Sequence, residues 1–175
     1  MSLLNFALLF SEEHNRIFTE FSQMITARVR SDFELNEESL PHLTVVQFEL
    51  PDSAVADCTQ KLLSLESEPV DLELMGLTFL PSKDGNMWIE ISVLKSERLS
   101  RLQREALALL GDARINSGTD DNYRPHITVA HALEQRRGLD IELDVNVVRR
   151  KKVTGRPAVG SCGPQFQFVS VLAGY

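Results

Sequence analysis

The sequence predicts an α+β protein: a bilobal, pseudo-twofold α/β fold, with two mostly antiparallel sheets lining a central cleft and helices outside. Three observations predict it. Strand, capped helix, polar loop and second strand follow one another twice along the chain. The two passes sit at a nearly constant offset. Each leads into nearly the same phrase, Pro41-His42-Leu43-Thr44-Val45 and then Pro125-His126-Ile127-Thr128-Val129.

The elements follow in order. Leu3–Phe10 is a short apolar run with polar flanks, which predicts a buried strand. Ser11 can cap a helix to about Arg30, with Ile17, Phe21, Met24, Ile25 and Val29 at helical spacing. Residues 31–40 are polar and predict a loop. Pro41 opens a strand through Leu50, and Pro51-Asp52 starts a helix to about Ser67 that carries Val55, Cys58, Leu62 and Leu65 on one face. Alternation over 70–80 and 87–94, with Asp84-Gly85 in the turn between, predicts a hairpin. Ser96 caps a third helix, which Gly111 stops. A polar loop, 112–124, leads to the second phrase. Beyond it, 141–153 and 165–173 are strand candidates, and the Gly/Pro-rich 155–164 predicts a loop.

His42 and His126 are 84 residues apart (126 − 42), and the same offset carries Leu3–Phe10 onto Met87–Leu94. The side chains otherwise differ, so the repeat is one of layout. It predicts a single domain of two interleaved lobes, with repeat units 3–50 and 87–134.

The bulk numbers bound the function. At 175 residues the chain can bury a core without staples, and a net charge of −7 argues against broad binding to nucleic-acid backbone. A small nucleotide or a strand end needs only a local positive pocket. Two cysteines without CxxC spacing exclude a disulfide framework and a thiolate zinc site; Cys58 reads as a small buried hydrophobe. The run Leu3–Phe10 lacks a basic flank and a cleavage site and is followed by Glu12 and Glu13, so it does not read as a signal segment. No apolar run reaches membrane-spanning length. The expectation is a soluble, cytoplasmic monomer.

Side chains alternate along a strand, so residues i and i+2 share a face. His42 and Thr44 then point one way, with Leu43 and Val45 opposite; His126 and Thr128 repeat this against Ile127 and Val129. The aliphatic faces are expected on the helices of their own lobes and the His/Thr faces in the cleft. Two facing histidines suit acid–base attack at phosphorus, one accepting a proton and one donating it. The threonine hydroxyls can donate to non-bridging phosphate oxygens. No metal or other cofactor is needed, there is no HExxH, and Asp120 and Asp121 read as acidic loop residues. Arg124 can pair with a phosphate and Tyr123 can stack a base, unless both are loop residues ordered by packing. His131 falls on the strand face opposite His126 and reads as structural or surface; His14 reads as exposed. Phe48 and Trp88 read as core. The basic run 149–152 is ordinarily solvated, with a phosphate backbone as its alternative partner.

At these residues the sequence resembles the two-histidine (2H) phosphoesterase superfamily, which includes 2′-5′ RNA ligase-like proteins and 2′,3′-cyclic phosphodiesterases. The resemblance is carried by His42-Leu43-Thr44-Val45 and His126-Ile127-Thr128-Val129. It extends over most of the chain, including the N-terminal strand and helix and 77–107, while the region after His131 carries no phrase that matches the family's pattern. It implies a cleft lined by His42, Thr44, His126 and Thr128 and metal-independent phosphodiester chemistry. The expected function is a phosphodiesterase that opens 2′,3′-cyclic phosphates or acts on 2′-5′ bonds of nucleotides or RNA ends. The alternatives are a 2′-5′ RNA end-joining ligase and a non-catalytic nucleotide- or phosphate-binding module. Two nearly identical phrases do not say which histidine is the acid.

Overall fold

A computed structural model describes residues 1–82, 84–115, 122–133 and 142–175. Their order is β1 (Ser2–Phe10), α1 (Glu12–Thr26), β2 (Ser31–Glu34), β3 (His42–Leu50), α2 (Asp52–Leu65), β4 (Val70–Pro81) and β5 (Met87–Val93). α3 (Glu97–Leu110), β6 (Arg114–Ile115), β7 (His126–Ala132), β8 (Lys152–Cys162) and β9 (Phe168–Gly174) follow. The caps are where the sequence places them. Ser11 Oγ accepts from His14 N, and Ser96 Oγ accepts from Leu99 N, each satisfying one orphan donor of a first turn.

The class is α+β: three helices and an antiparallel sheet, in the order β2-β7-β5-β4-β8-β1-β3-β6, with β9 on β8. β4 joins the two halves. Its first four residues pair with β8, and from Leu74 onward it pairs with β5. The change of partner coincides with a bulge at Leu74/Gly76, where φ of +132° at Gly76 suits a residue without a Cβ.

Two further bulges set the site. β1 pairs with β3 as Leu9↔His42 and Ala7↔Thr44, then slips one residue to Asn5↔Gln47. β5 pairs with β7 as Ser92↔His126 and Glu90↔Thr128, then slips likewise to Trp88↔His131. Cross-strand partners share a face. Gln47 therefore joins the His42/Thr44 face, and His131 joins the His126/Thr128 face. The expectation that His131 lies opposite His126 fails because strict alternation ignores the extra residue. The pairings also equate Ala7 with Glu90, an offset of 83 (90 − 7), one less than the phrases show.

Leu43 and Val45 from β3 and Ile127 and Val129 from β7 join one buried core with Leu4, Phe6 and Leu8 of β1 and Phe18, Phe21 and Ile25 of α1. The helices are exchanged relative to expectation: α1 packs on β7 and α3 on β3. The cause is β2. Residues 31–34, expected as loop, pair with β7, so α1 must carry the chain across from β1 to the other half. Ser22 marks the crossing, its Oγ donating to Val129 O and accepting from Leu35 N. The same pairing ends α1 at Thr26 rather than near Arg30.

Three other expectations are corrected. The Gly/Pro-rich 155–164 is mostly strand, because β8 runs through Cys162 between β1 on one side and β4 and β9 on the other. Pro157 falls between the β4 and β9 pairings. Gly160 lets β9 approach: a Cβ there would lie 2.2 Å from Phe168 Cζ and from Ser170 O. Residues 142–151 are turns and a short 3-10 segment rather than strand, and Arg114–Ile115 pair with β3. Asp120 and Asp121 lie outside the described residues. No helix among the described residues is long and apolar enough to cross a membrane.

Candidate active site

His42, Thr44, His126 and Thr128 line one cavity of about 350 Å³, together with Phe33, Gln47, Leu80, Trp88, Glu90 and residues 165–167. Both histidines are anchored alike. Nδ1–H of His42 donates to Leu40 O at 2.8 Å, and Nδ1–H of His126 donates to Arg124 O at 2.7 Å. A carbonyl only accepts, so each Nδ1 carries the proton and the neutral ring keeps Nε2 as its acceptor. The residue two before each histidine thereby fixes its tautomer, which a strand's own geometry supplies to both copies.

The surroundings are not alike. The chain after β8 turns back over the first half, and Phe168 packs against the His42 ring at 5.7 Å between centroids. Phe168, Ala7, Leu9 and Ala158 form a small apolar cluster with Leu40 at its edge. His42 is left 8% exposed. Burial disfavours its charged form and outweighs the carbonyl of Leu40, which favours it; the nearby His126 adds to the lowering, and the pKa falls from 6.5 to about 4. Among the described residues no such cover lies over His126, and its side chain is 32% exposed. A carboxylate faces it instead: Glu90 Oε1 lies 3.5 Å from His126 Nε2, and Glu90 Oε2 accepts from Arg124 Nη2 at 3.0 Å. Where Glu90 faces the second phrase, Ala7 faces the first.

Thr44 Oγ1 accepts from Asn5 Nδ2 at 3.1 Å, which leaves the threonine proton free to be given to a ligand. Tyr123 does not offer a stacking face. Its ring is buried, its hydroxyl donates to Thr44 O at 3.1 Å, and burial pushes its pKa up. Tyr123 thus ties the segment before the second phrase to the strand of the first. Arg124 is absent from the cavity lining and is engaged by Glu90. Trp88, expected in the core, lines the cavity, while Phe48 is buried as expected. The side chains of 149–152 are exposed and away from the cavity.

The sequence model of the 2′-5′ RNA ligase superfamily matches residues 20–152, about three quarters of the chain. The chain belongs to the 2′-5′ RNA ligase superfamily. Solved structures agree on the fold. A Thermus thermophilus protein, TT0787, is 21% identical with a TM-score of 0.66, over 99% of this chain and 96% of that one. E. coli LigT complexed with 3′-AMP is 13% identical at 0.62, again over 99% and 96%. Kluyveromyces marxianus Usb1 is 13% identical at 0.54, over 98% and 96%. No curated protein matches.

For this member of the 2′-5′ RNA ligase superfamily, sequence reasoning missed Glu90, Gln47, Phe33, Leu80 and 165–167. Glu90 carried a usable signal, being the one charged residue in β5, whose other residues except Ser92 are apolar. Gln47 needed the bulge, and 165–167 needed the path of the chain after β8.

Proposed function

We propose that this protein is a phosphodiesterase that opens 2′,3′-cyclic phosphates or cleaves 2′-5′ phosphodiester bonds of nucleotides or RNA ends, with His42 as base and His126 as acid. One observation carries the reading. Two His/Thr pairs line one cavity with both Nδ1 atoms tied to backbone carbonyls, and their surroundings differ, His42 buried and His126 half-buried beside Glu90.

His42, kept neutral by its cover, takes a proton from water at Nε2 while the water oxygen bonds to phosphorus. His126, with the Glu90 carboxylate as partner for its protonated form, gives its Nε2 proton to the ribose oxygen as that P–O bond breaks. The product is a phosphomonoester with a freed hydroxyl. The 3.5 Å between Glu90 and His126 is longer than a hydrogen bond, so the carboxylate supplies charge without holding the donor. Thr44 and Thr128 donate to the non-bridging oxygens, where charge builds in the transition state. Each proton transfer of this kind contributes about 10²–10⁴-fold. The cavity is of the size that takes one nucleotide, and LigT, of the same fold, has been crystallised with phosphate, 3′-AMP, ATP and NADP⁺.

The test is a substrate panel of 2′,3′-cyclic nucleotides and 2′-5′-linked dinucleotides, incubated with and without EDTA, with products identified by chromatography. Turnover in EDTA to a phosphomonoester is the expected result. Binding with no turnover would make the protein a nucleotide-binding module, and complete loss in EDTA would make it a metal enzyme.

A further inference from the structure

Among the described residues that line the cavity, three can carry charge: His42, His126 and Glu90. Burial keeps His42 neutral. His126 brings one positive charge at most, and Glu90 brings a carboxylate. Glu90 is 4% exposed, whereas the side chain of Arg124, which it engages, is 49% exposed. The two carboxylate oxygens have different partners. Oε2 accepts from Arg124 Nη2 at 3.0 Å, and Oε1 faces His126 Nε2 at 3.5 Å. A buried charge acts through a low dielectric, while an exposed one is screened by water and salt. The carboxylate therefore sets the field inside the cavity more than the guanidinium does. Glu90 is also the direct cross-strand partner of Thr128. Such partners have Cβ atoms about 5 Å apart, so a phosphate held by Thr128 lies beside the carboxylate.

We propose that Glu90 makes the cavity selective for charge, so that it admits phosphate groups with one negative charge and rejects those with two. The substrate class is then the phosphodiester monoanion, and the phosphomonoester dianion is excluded. A single charge is met by the hydroxyls of Thr44 and Thr128 and by the protonated His126. A second charge meets the Glu90 carboxylate, and Arg124 is already engaged by that same carboxylate. Hydrolysis of a diester creates this second charge, because the phosphomonoester formed loses its second proton with a pKa of about 6. Glu90 thereby expels the product in the form it takes at neutral pH. The other half has no counterpart, since the cross-strand partner of Thr44 is Ala7. The proposal rests on the phosphodiester reading only for where the phosphate sits.

The test uses two ligands of one shape, 3′-AMP and adenosine 3′-sulfate, of which the sulfate keeps a single charge throughout. Calorimetry gives both dissociation constants for the wild type and for Glu90→Gln, from about pH 5 to about pH 8, on either side of the monoester's second ionisation. The ratio of the two constants cancels what the shared adenosine contributes. In the wild type the two ligands should bind alike at the acid end, and 3′-AMP should fall about 3- to 10-fold behind the sulfate at the alkaline end. Glu90→Gln, checked for folding by circular dichroism, should remove that divergence, with Arg124 released to meet the second charge. Tighter binding of 3′-AMP than of the sulfate by the wild type at the alkaline end overturns the proposal. An unchanged divergence in Glu90→Gln, or no binding of either ligand by the wild type, does so too. The wild-type comparison needs no variant, so it decides the matter even where Glu90→Gln fails to fold. Charge discrimination in a protein that turns over no phosphodiester would keep the selector and overturn the phosphodiesterase reading, and turnover without discrimination would do the reverse.

Discussion

Acidification should destabilise this protein through His42 more than through an ordinary histidine. Burial under Phe168 lowers the folded-state pKa of His42 from 6.5 to about 4. The unfolded chain therefore binds this proton first. Stability from the neutral, buried ring is fully present above pH 6.5 and is lost as pH falls toward about 4. The full shift corresponds to about 3 kcal/mol, of which about 2 kcal/mol is lost between pH 7 and 4.5. That is a large share of a typical domain's stability. Urea unfolding of the wild type and of His42→Gln at both pH values isolates the term, since the variant keeps a polar side chain but cannot titrate. The wild type should lose about 2 kcal/mol more than the variant on acidification. Equal losses would refute the argument that the C-terminal turn holds His42 neutral. The same shift places the acid limb of kcat/KM near pH 4 rather than near 6.5, because that limb reports the free enzyme's base.

Two other outcomes follow from the geometry. Glu90→Gln removes the carboxylate facing His126 and the anchor of Arg124; steady-state kinetics on a cyclic nucleotide should show kcat down about tenfold with KM little changed, and an unaltered kcat would deny Glu90 a part in the reaction. Gly160→Ala places a Cβ against Phe168 and the backbone of Ser170; forced overpacking should cost about 1–3 kcal/mol in urea unfolding, and a neutral result would mean that β9 moves freely away from β8.

How much of this was legible in the sequence depends on what kind of information each feature needs. The capped helices, the hairpin and the two phrase strands were legible because caps, alternation and Asp-Gly turns are local. The exchange of α1 and α3 between the halves was not, because it depends on a four-residue strand, Ser31–Glu34, whose pairing with β7 has no local mark. β8 was misread for a physical reason: Gly160 and Pro157 are turn formers by composition, yet here one permits close strand approach and the other fills a gap between ladders. At the candidate site, the repeated phrase exposed His42, Thr44, His126 and Thr128, since strand alternation is enough to put each pair on one face. It could not separate the two histidines. What distinguishes them, Phe168 and Glu90, comes from a distant strand and from the neighbouring strand of the other half. The matched bulges, which bring Gln47 and His131 onto the cavity face, are visible only once the register is known.

The central claim is that His42 and His126 form one acid–base pair. Its most direct measurement is the rate of 2′,3′-cyclic AMP opening in EDTA by the wild type, His42→Ala, His126→Ala and the double variant. Each single substitution should lower kcat/KM by about 10²–10⁴-fold. The double variant should fall little below the worse single, because the two groups act as a unit. Wild-type rates in either single variant, or complete loss of wild-type activity in EDTA, would contradict the claim.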